Sequence, residues 1–121
     1  MAILELLEQL AADEGVKAVA LVGEDGFVIE SVRKEGAADL DFVGGAATSA
    51  MASSRALADH LKQGEVEEVM VEFDEGPMLL EPITAAGITY SLVLMLASPQ
   101  NLGRVRFQLK KIRPRLKEAL A

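Results

Sequence analysis

VEEVMVEF (66–73), PMLLEPI (77–83) and ITYSLVLML (88–96) follow one another across the connectors DEG (74–76) and TAAG (84–87). Their β-branched and aromatic side chains suit a pleated surface, and short Gly-bearing connectors reverse the chain tightly. The three runs therefore predict an antiparallel meander. ITYSLVLML is apolar almost throughout, which places it at the centre of a sheet with both faces covered. VEEVMVEF carries Glu67, Glu68 and Glu72, and Pro77 opens the next run, so these two strands belong nearer an edge.

Working upstream, VKAVALV (16–22), GEDG (23–26) and FVI (27–29) read as strand, Asp-Gly turn and strand, a hairpin. Ile3, Leu6, Leu7 and Leu10 recur at helical spacing over residues 2–12, and Asp13-Glu14-Gly15 ends that helix. Residues 33–38 form a charged loop. Asp39 then reads as the N-cap of a long helix from Leu40 to about Lys62, closed by Gly64. On its wheel Leu40, Val43, Ala47, Ala50, Met51, Leu57, Ala58 and Leu61 gather on a core side. Phe42, Gly45, Ser49, Ser53, Ala56 and His60 lie opposite. Downstream of Pro99, Asn101 caps a last helix built on Leu102, Val105, Leu109, Ile112 and Leu116, with a kink or break expected at Pro114. The order is helix, strand, strand, helix, three strands, helix, an α+β arrangement.

The chain has 121 residues, half of them apolar, which is the size of one domain spanning residues 1–121. The start MAILELLEQL carries Glu5 and Glu8 without a basic leader, and no apolar run approaches a membrane span, so a cytoplasmic protein is expected. With no Cys and one His, disulfides, thiolate chemistry and His-rich metal sites are not supplied. The net charge of −7 opposes nucleic-acid binding. It is unevenly spread: residues 1–100 hold five basic and eighteen acidic side chains, residues 101–121 seven basic and one acidic. Arg104, Arg106, Lys110, Lys111, Arg113, Arg115 and Lys117 read as the polar outer face of a helix packed on an acidic body. Contact with anionic lipid is the lesser alternative, and a membrane role is not expected.

No catalytic constellation emerges. GEDG lacks the Lys-Ser/Thr pair of a phosphate loop, and a hairpin turn accounts for both its glycines. His60 has no nucleophile at a readable spacing, and a helix C-terminus explains it. Glu24-Asp25, Glu67-Glu68 and Asp74-Glu75 lack the alternation of a calcium loop and read as solvated turn or edge charge. Catalytic, cofactor and metal residues are therefore not assigned. The stripe Phe42, Gly45, Ser49, Ser53, Ala56 is different. A solvated helix face is normally rich in Lys, Glu and Gln, and two helical glycines cost about 1–2 kcal/mol relative to alanine, so close approach of another backbone is the compensating gain. That backbone belongs either to the same subunit or to a partner.

The hairpin GVKAVALVGEDGFVIES (15–31), the small-residue central helix, the second hairpin GEVEEVMVEFDEGPMLLEPI (64–83) and the helix entry SPQNLGRVRFQLKKI (98–112) together resemble the roadblock / dynein light chain family over nearly the whole chain. The resemblance implies a profilin-like, five-stranded antiparallel sheet, with the first and last helices on one face and the central helix on the other. Family members form dimers in which central helices meet and third strands pair edge to edge. It thus implies an interface of Phe42, Gly45, Ser49, Ala52, Ser53, Ala56, Val69 and Val71. Single-domain members of the MglB type regulate small Ras-like GTPases, so the implied partners are a second copy and such a GTPase. No arginine finger comes with that role, and Arg55, the single Arg of the central helix, is not given one. A scaffold subunit without effect on GTP turnover and a small-ligand-sensing domain are the alternatives.

Overall fold

The computed structural model describes residues 2–121. Leu6, Leu7 and Leu10 are fully buried along α1 (Ile3–Ala11). The chain leaves that helix through Asp13, whose carboxylate accepts the Gly15 N–H at 2.8 Å. β1 (Val16–Val22) and β2 (Val28–Arg33) form the first hairpin, closed by the Gly23 N–H to Phe27 C=O bond of 2.8 Å. β2 runs four residues past the expected FVI stretch. It is an edge strand, where Ser31 and Arg33 stay exposed while Val28 and Val32 pack inward.

α2 (Val43–Leu61) starts three residues later than expected, because the Asp39 carboxylate folds back onto the Asp41 N–H at 3.0 Å and caps no helix. At the other end Lys62, at φ 55°, takes the left-handed cap position expected of Gly64, which lies in the following loop. β3 (Val69–Phe73) also starts late, since Glu68 is drawn away to Arg106 and Val66 packs under α2. β4 (Gly76–Ala85) is longer than PMLLEPI, and its pairing with β3 ends at Leu80. Pro82 therefore lies where β3 has already stopped, and its missing N–H removes no bond to that strand. Ala86 and Gly87, both at positive φ (51° and 79°), turn the chain into β5 (Ile88–Leu96).

All neighbours in the sheet are antiparallel, in the order β2-β1-β5-β4-β3, with the apolar β5 at the centre as its composition predicted. A short 3₁₀ turn at Pro99–Asn101 follows. It is capped by the Ser98 hydroxyl on the Gln100 N–H, while Asn101 contributes no side-chain cap and lies against Gly15. α3 (Leu102–Leu120) then runs through Pro114 without a break. Ile112 and Leu116, buried on either side of the proline, hold the helix on the sheet, and the carbonyl left without its donor belongs to the exposed Lys110.

The alternation along the strands divides the core into two layers. Leu79, Ile83, Leu92, Leu94 and Leu96 meet α1 and α3 on one face. Ala18, Ala20, Val22, Leu80 and Val93 meet Leu40, Ala47 and Met51 on the other. The two outer helices and the central helix thus lie on opposite faces, as the family resemblance implied.

Three ion pairs tie α3 to the acidic body. Arg104 grips Asp13 with two bonds of 2.5 and 2.8 Å, Arg106 grips Glu68 with two of 3.2 and 2.6 Å, and Arg113 pairs with the buried Glu81. The Asp13 main-chain carbonyl also accepts from Lys34 at 2.7 Å, so one residue joins α1, the end of β2 and α3. The Arg104 hydrogen bonds hold the Asp13 carboxyl below its ordinary value of 3.8, outweighing the burial that pushes it up.

Two outcomes are expected. Ala86→Asn, which suits two consecutive left-handed residues better, should raise stability by about 1 kcal/mol in urea unfolding. A lowered native pKa means that the Asp13 contribution is complete above about pH 4 and is lost as pH falls through the native value. The stability gap between the wild type and Asp13→Asn should accordingly be widest at neutral pH and close in acid; a gap that is constant down to about pH 3 would contradict this.

Candidate interaction surface

α2 is made largely of Gly, Ala, Ser and Thr, and it buries little: Gly44, Ala47 and Met51 are its only fully buried residues. Gly44 has an internal reason. The turn of the first hairpin lies directly on it, and a Cβ there would overlap the Gly26 carbonyl oxygen. Gly45 has none, since a Cβ at that position would meet nothing within 4 Å. Of the two helical glycines, only one is explained by packing within the chain.

The outward face of α2 brings together the residues singled out from the sequence. Phe42 is 88% exposed, and Gly45, Ser49, Ala52, Ser53 and Ala56 are exposed along the same side. Val69 and Val71 are half-buried on β3, whose outer edge carries no strand. The Glu68 side chain is committed to Arg106, so β3 and its approach present fewer free carboxylates than the run VEEVMVEF implies.

One expectation is overturned. Leu57 and Leu61, placed on the core side by periodicity, are 60% and 58% exposed. Neither belongs to the layer of side chains packed between α2 and the sheet. On one flank of α2, Phe42, Ala46 and Ala50 face Val71 and Phe73 of β3 across a groove of about 400 Å³ floored by Met78 and Met95, with almost no polar atoms in its walls. Phe73 is 53% exposed at its rim. Ala46, Leu57, Leu61, Phe73, Met78 and Met95 were not among the expected site residues. The helical wheel shows which residues share a side, but not how far a sheet extends beneath it.

Little chemistry beyond contact is available here. Arg55 lies away from the groove, at a polar recess of about 370 Å³ shared with Thr84, Thr89, Arg113 and Lys117. His60 is exposed in the last turn of α2. Among the described residues no group of three His, Asp or Glu side chains converges as a metal site, and no helix is long and apolar enough to cross a membrane. The arrangement is a flat, small-residue helix beside an apolar groove and an open strand edge.

Comparison with known proteins agrees with this geometry. The family model described as Roadblock/LC7 domain matches residues 2–93. Two uncharacterised proteins of Methanocaldococcus jannaschii are each 31% identical over 112 residues, a stretch that spans 93% of this chain and 94% of theirs. Among solved structures, Myxococcus xanthus MglB superposes with a TM-score of 0.84 at 21% identity, covering 98% of this chain and 94% of its own. A structure described as MglB with tetrameric arrangement gives 0.78 at 24% identity, covering 95% and 85%. At those identities the likeness to the solved structures is one of fold.

The two glycines should respond oppositely to alanine. Gly44→Ala should destabilise the chain by about 2 kcal/mol or more, because backbone must move to admit the methyl group. Gly45→Ala should leave the subunit's fold intact and, at concentrations where the chain is monomeric, add up to about 1 kcal/mol of helix propensity. Urea unfolding of both variants checks the contrast, and equal losses would refute it.

Proposed function

The chain belongs to the Roadblock/LC7 family, and from that premise we propose that it is a non-enzymatic, cytoplasmic interaction module. It acts as a homodimer that binds a small Ras-like GTPase and modulates its nucleotide cycle. The observation that carries the reading is the uncovered apolar flank of α2 beside the open edge of β3.

A second copy related by a two-fold axis supplies the same surface in reverse. Its α2 packs along Gly45, Ser49 and Ser53, whose short side chains permit the closest helix approach. Its β3 extends the sheet past Val69 and Val71. Burying Phe42 and Phe73 would contribute about 1.5–3 kcal/mol for each side chain, enough to favour a stable contact once the groove is filled. The solved relative described with a tetrameric arrangement supports self-association as a property of this fold.

The GTPase rests on the family. MglB-type members regulate such partners, and the likeness to Myxococcus xanthus MglB spans nearly the whole chain. The outward face of α2 carries no lysine or arginine to meet a γ-phosphate, and Arg55 lies at the separate recess. An effect on turnover would therefore come from rearranging the partner's own residues around its nucleotide.

Sedimentation equilibrium should find a dimer, and Ser53→Glu, exposed in the subunit, should shift it to monomer with an unchanged circular dichroism spectrum. Hydrolysis or exchange by a purified small Ras-like GTPase from the same organism should change on adding the wild type and not on adding Ser53→Glu. A monomeric wild type would refute the dimer. A complex without effect on hydrolysis or exchange would leave the scaffold reading, and no complex at all would refute the GTPase role.

A further inference from the structure

The seven cations of residues 101–121 divide into two groups. Arg104, Arg106 and Arg113 reach inward to Asp13, Glu68 and Glu81. Lys110, Lys111, Arg115 and Lys117 are exposed and form no ion pair among the described residues. The single carboxylate side chain of α3, Glu118, lies near its C-terminal end.

Two of the unpaired cations, Lys110 and Lys111, lie one turn from an aromatic ring that the fold does not use. Phe107 is 56% exposed and takes no part in the packing of α3 on the sheet. Phe107, Lys110, Lys111 and Pro114 follow the i, i+3, i+4, i+7 spacing of one helical stripe, and the Lys111 ammonium sits 4.6 Å from the centre of the Phe107 ring. Solvation alone asks for lysines and not for a phenylalanine among them. In a chain of net charge −7 this is a cationic strip with an aromatic ring at its N-terminal end.

The shape of the strip selects its occupant. α1 packs beside α3 on the same face of the sheet and exposes Glu5 and Glu8. A flat anionic surface resting on α3 would meet those carboxylates too, and one phenylalanine supplies little area for insertion. A narrow occupant avoids both penalties. We propose that the outer face of α3 from Phe107 to Lys117 is a docking strip for an acidic polypeptide segment whose apolar side chain packs on Phe107. From Phe107 to Arg115 the strip lies on the opposite face of the sheet from α2, away from the proposed dimer contact, and only Lys117 reaches the recess that holds Arg55, so the strip stands independently of that reading. It also lies beyond residue 93, outside the stretch matched by the family model.

The probe is a fluorescein-labelled peptide of glutamates around one tryptophan, followed by anisotropy with the full chain at about 50 mM salt. Saturable binding is expected, weakened about tenfold or more by Lys110→Glu/Lys111→Glu/Arg115→Glu and about threefold by Phe107→Ala, both with unchanged circular dichroism. Arg33→Glu, an exposed cation of β2, serves as the control and should bind as the wild type does. Absence of saturable binding, or an equal loss with Arg33→Glu, would overturn the proposal. So would co-sedimentation with phosphatidylserine-rich vesicles by a protein that ignores the peptide.

Discussion

Helix width set against sheet width governs this structure. Strands lie about 4.8 Å apart, so five of them present a face roughly 24 Å across, while a helix with its side chains is about 10–12 Å wide. α1 and α3 side by side can cover one face. α2 alone cannot cover the other. Its glycine contact with the first hairpin draws it down over β1 and β5. The flank toward β3 is then left bordered by Val71, Phe73 and the two methionines, and the proposed docking rests on that uncovered apolar surface.

Electrostatics fastens the better-covered face. The sequence separates its charges into an acidic body and a basic last helix, and the fold brings them back together at chosen points. Arg104, Arg106 and Arg113 meet Asp13 after α1, Glu68 before β3 and Glu81 within β4. These carboxylates come from well-separated parts of the chain, so the helix is tied along its length. Pairs whose arginine stays largely in solvent, Arg104–Asp13 and Arg106–Glu68, contribute little individually, whereas removing one partner of the Arg113–Glu81 pair, whose carboxylate is buried, would cost several kcal/mol. The cations that take no part in this clamp are those on the outward side of α3.

Much of the fold could be read in the sequence. The central position of ITYSLVLML follows from its having no polar face, and the first hairpin follows from Asp-Gly between two apolar runs. The misplaced boundaries share a cause, in that a local signal was recruited by a neighbour elsewhere. Asp39 turned to Asp41 instead of capping α2, and Glu68 left the β3 ladder for Arg106. The candidate surface was half legible. The small-residue stripe from Phe42 to Ala56 stood out because its composition contradicts a solvated helix. Leu57 and Leu61 did not stand out, because leucines on the inner half of a wheel look like core, and Phe73 did not, because it closes an ordinary strand run.

The amino-acid pattern by itself determined the element order, the alternation that splits the core into two layers, and the presence of an uncharged, small-residue helix face. Those are properties of spacing and composition, which act between residues near one another in the chain. Only the tertiary structure decided which glycine is consumed internally, which leucines are left uncovered, and which cations are paired. Each of those outcomes depends on how far one element reaches over another, a distance set by the packing of the whole sheet.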